Sequence, residues 1–205
     1  MKLIFSIDDG DELDIKTAEL FKKYNIPAIF YIPTSCKLHP KDIRRLDEMG
    51  FIIGGHTTTH PRDMKLLRGV NLEAEVVENK EWLEGIIGKE IIHFCYPRGR
   101  YNEDVTKAVE KVGFKYARTV DVGNYLLPLN KYRVGTSVHI YPRREYKGKA
   151  WLDYALDLLD KADKDEDGYF HCWAHSWEID KFNEWYNLEK LLKVINEYKY
   201  EPGKY

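Results

Sequence analysis

The chain has no glutamine, and only three of its 205 residues are cysteine. Cys36, Cys95 and Cys172 are odd in number and show no CxxC spacing, which argues against a disulfide framework and for a reducing compartment. A dominant charge sign is also missing. Thirty-two Lys and Arg face 34 Asp and Glu, a formal net charge of −2. No basic face is therefore offered in bulk to nucleic acid or to an anionic membrane, and a neutral or small substrate is easier to accept. No apolar run approaches the length of a membrane span. The opening Met1–Ile7 meets Asp8 and Asp9 at once, is too short for the core of a signal peptide and lacks a cleavage site. The expected localisation is cytoplasmic. The absence of glutamine beside abundant Lys, Glu, Ile and Tyr hints at a thermophilic source.

What is present is a globular composition, 43% hydrophobic and 32% charged. The length fits one domain better than two. With no internal repeat and no linker, residues 1–205 are expected to form a single domain. Short apolar runs alternate with helical patterns. Strands are predicted at Lys2–Asp8, Pro27–Pro33, Phe51–His56, Ile91–Pro97, Tyr116–Val120, Arg133–His139 and Tyr169–Trp177. Helices are predicted at Leu13–Tyr24, Lys41–Met49, Leu72–Ile87, Asn102–Val112, Trp151–Ala162 and Glu184–Tyr198. This is a βα repeat. It implies an α/β fold, a distorted or incomplete (β/α) barrel of about seven parallel strands, with an open doubly wound sheet as the alternative.

In such a barrel the chemistry gathers at the C-terminal ends of strands. Four predicted strands end in reactive residues: Asp8-Asp9-Gly10, then His56 with His60 four residues on, then Tyr96-Pro97-Arg98-Gly99, then His171 and His175. Residues four apart share one face of a helical turn, so His56 and His60 can point at one ion. Two neutral imidazoles and a carboxylate suit Zn2+ and leave positions open for water and substrate. The bland alternative is two surface histidines in a polar loop. Asp8-Asp9-Gly10 has its own bland alternative, a turn or a helix N-cap. Two adjacent acids at a rim repel unless a cation offsets them, and one acid as ligand with the other as base is a physical reason to keep both.

Together these residues resemble the polysaccharide deacetylase family (NodB-like, carbohydrate esterase family 4). Ser6-Ile7-Asp8-Asp9-Gly10 is similar to its first motif, (T/S)FDDG, with Ile in place of Phe. His56-Thr57-Thr58-Thr59-His60 matches the second, H(S/T)xxH. Phe94–Asn102 is similar to the third, RxPxG followed by Tyr-Asn, and His171–Glu178 looks like the last, where a strand ends in a functional His. The resemblance implies a metal-dependent hydrolase that removes acetyl groups from a polysaccharide, oligosaccharide or amino sugar. It implies Asp8 as general base, Asp9, His56 and His60 as metal ligands, and His175 as the acid that protonates the departing amine. Tyr96, Pro97, Arg98 and Trp177 are the substrate-binding candidates, with a backbone N–H near Arg98 at the oxyanion. The implied cofactor is a divalent metal, Zn2+ first, with Co2+, Mn2+ or Ni2+ as alternatives. The implied partner is an N-acetylated glycan or a small amide, not a nucleic acid or a membrane. The sequence is silent on oligomeric state.

Cys95 stands where the family's third-motif Arg usually falls, and Arg98 where an aromatic residue is common. The fourth motif, which supplies an Asp and a Trp, has no placed counterpart, and Asp121 matches by position alone. Asp163–Gly168 imitates the start of an EF-hand loop but has Ala174 at its twelfth position and reads as a solvated turn. His171 reads as a packed core partner. His39, His93 and His139 have no motif around them. Three other functions compete. The first is hydrolysis of cyclic imides or ureides on the same scaffold. The second is an iron oxygenase, since two His and one carboxylate also form its facial triad. The third is a non-enzymatic binding module, which would have no use for Asp8 and His175.

Overall fold

The computed structural model describes residues 1–203. Strand β1 (Lys2–Asp8) shows how the sequence builds the fold. Successive side chains of a strand point to opposite faces. Leu3, Phe5 and Ile7 join the large core beneath the helices, whereas Ile4 joins a smaller cluster with Ile29, Tyr31, Cys95, Val134 and Tyr169. A strand buried on both faces reads as an unbroken apolar run, as β1 does up to Ser6.

Helix α1 (Asp14–Lys23) leads to β2 (Ala28–Ile32), α2 (Pro40–Glu48) to β3 (Ile52–Gly55), and α3 (Gly69–Ile87) to β4 (His93–Cys95). Helix α4 (Glu103–Lys111) precedes β5 (Tyr116–Arg118); β6 (Val138–His139), α5 (Trp151–Asp163), β7 (Tyr169–Ala174), α6 (Ser176–Lys181), α7 (Trp185–Ile195) and β8 (Glu201–Pro202) follow. Local chemistry sets several boundaries. His39 caps α2, accepting from the Lys41 N–H ahead of Pro40 at the first turn. Asn102 caps α4 by accepting from the Val105 N–H at 3.0 Å. Gly88 closes α3 at φ 70°, a conformation glycine adopts without steric cost.

The sheet order is β5-β4-β3-β2-β1-β7-β6, with β8 added beside β1, and the pairings are parallel. One isolated bridge, Arg118 to Val134, ties the β5 edge to the segment leading into β6. The fold is thus an incomplete α/β barrel of seven strands, with helices outside. β3 passes close to its neighbours through glycine: a Cβ on Gly54 would lie 2.5 Å from the Tyr31 ring.

Two predicted strands differ. Arg133–His139 is strand only at Val138–His139, because Val134 spends its backbone on the bridge and on Thr119 and Ala117. The last large strand ends at Ala174, not Trp177, since Glu178 and Ile179 turn their N–H groups back to the His175 carbonyl and start α6. His171 and His175 therefore do not share a strand face. Among the described residues no helix is long and apolar enough to cross a membrane, and all three cysteines are free.

Candidate metal and catalytic site

Strand ends bring the polar residues together. Asp8 closes β1, Cys95 closes β4, Arg118 closes β5, His139 closes β6, and His56 and His175 each follow one residue after a strand. Asp9 turns out of β1 at φ 81°, held by its N–H bond to the Tyr31 carbonyl at 3.1 Å. Its Oδ1 lies 3.6 Å from His56 Nε2 and 3.4 Å from His60 Nε2. Its Oδ2 lies 3.5 Å from His175 Nε2.

The two imidazoles of HTTTH do converge, but not on a helical turn. Residues 56–60 form an irregular loop with Thr57 at φ 70° and His60 at φ 53°. Non-glycine residues in that region are strained by about 1–3 kcal/mol each and persist where surrounding contacts fix them. The contacts here are the His60 N–H to Thr57 Oγ1 at 3.1 Å, the Thr34 N–H to the Thr57 carbonyl at 3.1 Å, and bonds from the Thr59 N–H and hydroxyl to the Glu75 carboxylate. Asn79, on α3, accepts from the His56 N–H at 2.8 Å and donates to the Ile32 carbonyl at 3.0 Å. His56 Nδ1 donates to the Cys95 carbonyl at 2.7 Å, which turns its Nε2 toward Asp9.

This arrangement fits a cation. Ligands about 2.1 Å from a tetrahedral ion stand about 3.4 Å from one another, close to the two Asp9–His separations. Asp9 Oδ1 is buried and has no hydrogen-bond partner. Burial would raise the Asp9 carboxyl, yet His56, His175 and His60 hold it well below the usual carboxylate range. Burial, with His56 and Arg98 nearby, pulls His60 down to about 4, so it is neutral and able to ligate at pH 7.

His175 has a different surrounding. Glu178 Oε2 lies 2.6 Å from His175 Nδ1 and 2.9 Å from His139 Nε2. His139 in turn stacks on Trp173, centroids 3.6 Å apart and planes at 3°. Burial pulls the His175 pKa down, but the Glu178 bond, Asp9 and Asp8 outweigh it and the net shift is upward. Glu178 itself would be raised by burial, and the bonds to the two histidines bring it down to about 2. Asp8 is buried and ion-paired with the fully buried Arg118.

A cavity of about 350 Å³ opens beside Asp9, bordered by Gly10, Pro33, Cys36, His60 and Trp177. Trp177 stacks at 5.3 Å on His175 and is 36% exposed. Arg98 is exposed at φ 55° in the turn after β4, near enough to His60 to lower its pKa. Two of the four substrate-binding candidates are placed elsewhere. Tyr96 alternates with Cys95, so it points into the outer core and its hydroxyl donates to the Tyr132 carbonyl at 3.1 Å. Pro97 is buried under the same turn. Asp121 is exposed; its carboxylate accepts from the Thr119 hydroxyl at 2.9 Å and its carbonyl from the Thr136 hydroxyl at 2.7 Å. His171 is a core residue, bonded to Ser6 and Tyr169.

Sequence reasoning missed Asn79, Arg118, His139 and Glu178. Glu178 had a signal, three residues past His175 at a helix start. The other three belong to the site only through strand order and helix packing.

Residues 2–117 match the family model described as polysaccharide deacetylase. That stretch is more than half of the chain and includes both the Asp-Asp-Gly and the HTTTH segments; the chain belongs to the polysaccharide deacetylase family. It is 28% identical over 127 residues to YxkH of Bacillus subtilis, covering 59% of this chain and 45% of that protein. It is 28% identical over 102 residues to the peptidoglycan-N-acetylmuramic acid deacetylase PdaA of the same organism, covering 49% of this chain and 38% of that one. The chain thus spans less than half the length of these relatives. A family 4 carbohydrate esterase from Streptomyces lividans, solved with acetate, shares the fold with TM-score 0.66 at 15% identity, covering 95% of this chain and 89% of that one.

Proposed function

We propose that the chain is a metal-dependent amide hydrolase that removes N-acetyl groups from a glycan or amino sugar, and that residues 1–205 are one catalytic domain. The observation that carries this reading is Asp9 facing His56 and His60 through one oxygen and His175 through the other, with Asp8 adjacent. Asp9, His56 and His60 would hold the cation, Zn2+ by their donor set. When bound, it lowers the pKa of water and polarises the amide carbonyl. Asp8 accepts the proton of the attacking water. His175, whose protonated form Glu178 and the nearby acids favour, gives its proton to the departing amine. Water and amide become acetate and free amine. The Arg98 backbone N–H would donate to the developing oxyanion, and Trp177 would offer an apolar wall beside the reacting group. The Asp9 side chain keeps 30% of its surface exposed, which suits a chain-like glycan better than a sealed small-molecule pocket.

The test is acetate release from N-acetylglucosamine oligomers by Zn2+-loaded protein, with Asp8→Asn as control. Release that is lost by a factor of about 100–10,000 in a metal-loaded mutant is expected for removal of a general base. No release by the wild-type protein with metal bound would redirect the reading to cyclic imides or other small amides.

A further inference from the structure

A second set of donor atoms stands beside the first. One nitrogen each of His139 and His175 and a carboxylate oxygen of Glu178 lie within 4.8 Å of one another. His139 closes β6, His175 follows β7, and Glu178 stands in the first turn of α6. His139 and Glu178 are buried, and the His175 side chain is 17% exposed, so the group meets solvent through His175. None of the three belongs to the Asp9, His56 and His60 set. His175 joins the two sets, turning Nε2 to Asp9 and Nδ1 to Glu178.

Each donor is held by contacts of its own. The Tyr146 hydroxyl accepts from the His139 N–H and donates to the His139 carbonyl, both at 2.8 Å. The His139 ring lies flat on Trp173. The His175 ring meets Trp173 edge-on at 5.5 Å and stacks on Trp177 at 5.3 Å. The Glu178 N–H bonds the His175 carbonyl at 3.0 Å. Two imidazoles and a carboxylate are the donor set of three-ligand zinc sites, whose fourth position takes water. Glu178 Oε2 is 2.6 Å from one nitrogen and 2.9 Å from the other. Reaching the separation of about 3.4 Å between ligands of a tetrahedral ion needs a movement of less than about 1 Å.

We infer that His139, His175 and Glu178 form a second, weaker zinc site, and that excess metal filling it switches the enzyme off. The ion takes the Nδ1 lone pair of His175, and the proton shared there with Glu178 leaves to solvent. The His139 proton moves from Nε2 to Nδ1, which frees Nε2 to ligate. Both hydrogen bonds to Oε2 are lost in the exchange, which is why this site is the weaker one. The Nε2–H left on His175 belongs to a zinc-bound neutral imidazole, a far poorer acid than imidazolium. Binding of the ion stands apart from the reaction, whereas the loss of activity rests on the proposed role of His175 as acid.

The experiment titrates metal-free protein with Zn2+ by equilibrium dialysis, and follows acetate release from N-acetylglucosamine oligomers over the same free Zn2+ concentrations. Wild type is expected to bind two ions per chain, the second about 10–100-fold more weakly because it displaces existing hydrogen bonds. The rate should rise with the first ion and fall by about tenfold or more with the second, the scale of an impaired acid. His139→Gln keeps a hydrogen-bond donor toward Glu178 and loses the ligand. It is expected to keep the tighter ion and to bind the weaker one at least about tenfold less well. Relative to its own uninhibited rate, it should need correspondingly more Zn2+ for inhibition. His60→Ala should retain the weaker ion at high free Zn2+ while losing the tighter one. A single ion per chain at free Zn2+ about a thousandfold above the first dissociation constant overturns the site, as does a second ion that His139→Gln binds like wild type. If His139→Gln does not fold, nitrogen NMR of the histidine rings in wild type decides: the second ion must shift His139 and His175, and an unmoved His139 overturns the site. A second ion that leaves the rate unchanged overturns the inhibition. A wild type that releases no acetate defeats the deacetylase reading and the inhibition with it, while the binding titration still decides the site.

Discussion

Glu178 Oε2 stands 2.6 Å from His175 Nδ1, three residues away across the first turn of α6. The bond fixes which imidazole nitrogen carries the shared proton and leaves Nε2 facing Asp9. His139 supplies the second bond to the same oxygen from the end of β6.

Glu178→Gln removes the carboxylate that raises the His175 pKa. A raised pKa keeps the acid form present to higher pH, so losing the carboxylate moves the alkaline limb of the kcat profile to lower pH. At pH 7 kcat should fall by about tenfold or more, the scale of a mispositioned acid. A profile of kcat from pH 5 to 9 for both proteins checks this. An unmoved alkaline limb would show that Glu178 does not govern the proton on His175.

His60→Ala removes a partly exposed imidazole without opening the core. Metal content by atomic emission should drop well below one ion per chain after dialysis, while unfolding of the metal-free protein stays nearly unchanged. Full occupancy in the variant would take His60 out of the site.

Asn79→Ala acts from a distance. It strips the His56 N–H of its acceptor and the Ile32 carbonyl of its donor, both in the protein interior. Leaving buried polar groups unpaired costs about 1–3 kcal/mol, and outer-shell losses typically weaken metal affinity by about 10–100-fold. Urea unfolding and a competitive zinc titration read the two effects separately.

Asp14 gives a pH-dependent stability. It is fully buried at the start of α1, neither carboxylate oxygen has a hydrogen-bond partner within bonding distance, and burial raises its pKa well above 3.8. The folded state therefore binds more protons than the unfolded state above pH 3.8. Stability from this group falls as pH rises through that window. Asp14→Asn keeps the shape and removes the ionisation, so it should be more stable than wild type at pH 7 by about 1–3 kcal/mol, the scale of a buried polar mismatch. The gap should shrink toward pH 4. A gap independent of pH would locate the effect in packing instead.

The βα alternation was legible because strands buried on both faces read as apolar runs and the helices carry one apolar stripe each. Asp8, Asp9, His56 and His60 stood out because they directly follow such runs. The turn from β7 into α6 was not legible, because Trp173, Trp177 and the residues between them suit a strand as well as a helix start. Tyr96 was misplaced for a related reason: which face of a short strand looks inward depends on where its neighbours lie, and one step of alternation sends the side chain to the other layer.

The sequence by itself determined the residue types at the strand ends, and so the chemistry the rim can carry: two acids, three imidazoles and a loop rich in threonine. Only the tertiary structure decided which groups support them. Arg118 reaches Asp8 because β5 pairs with β4 in one register, Asn79 reaches His56 because α3 packs on β3, and His139 reaches Glu178 because β6 lies beside β7. Those contacts join residues 23 to 110 positions apart in the chain. Local propensity carries no information about such pairs, since they form only when sheet order and helix packing bring distant backbone together.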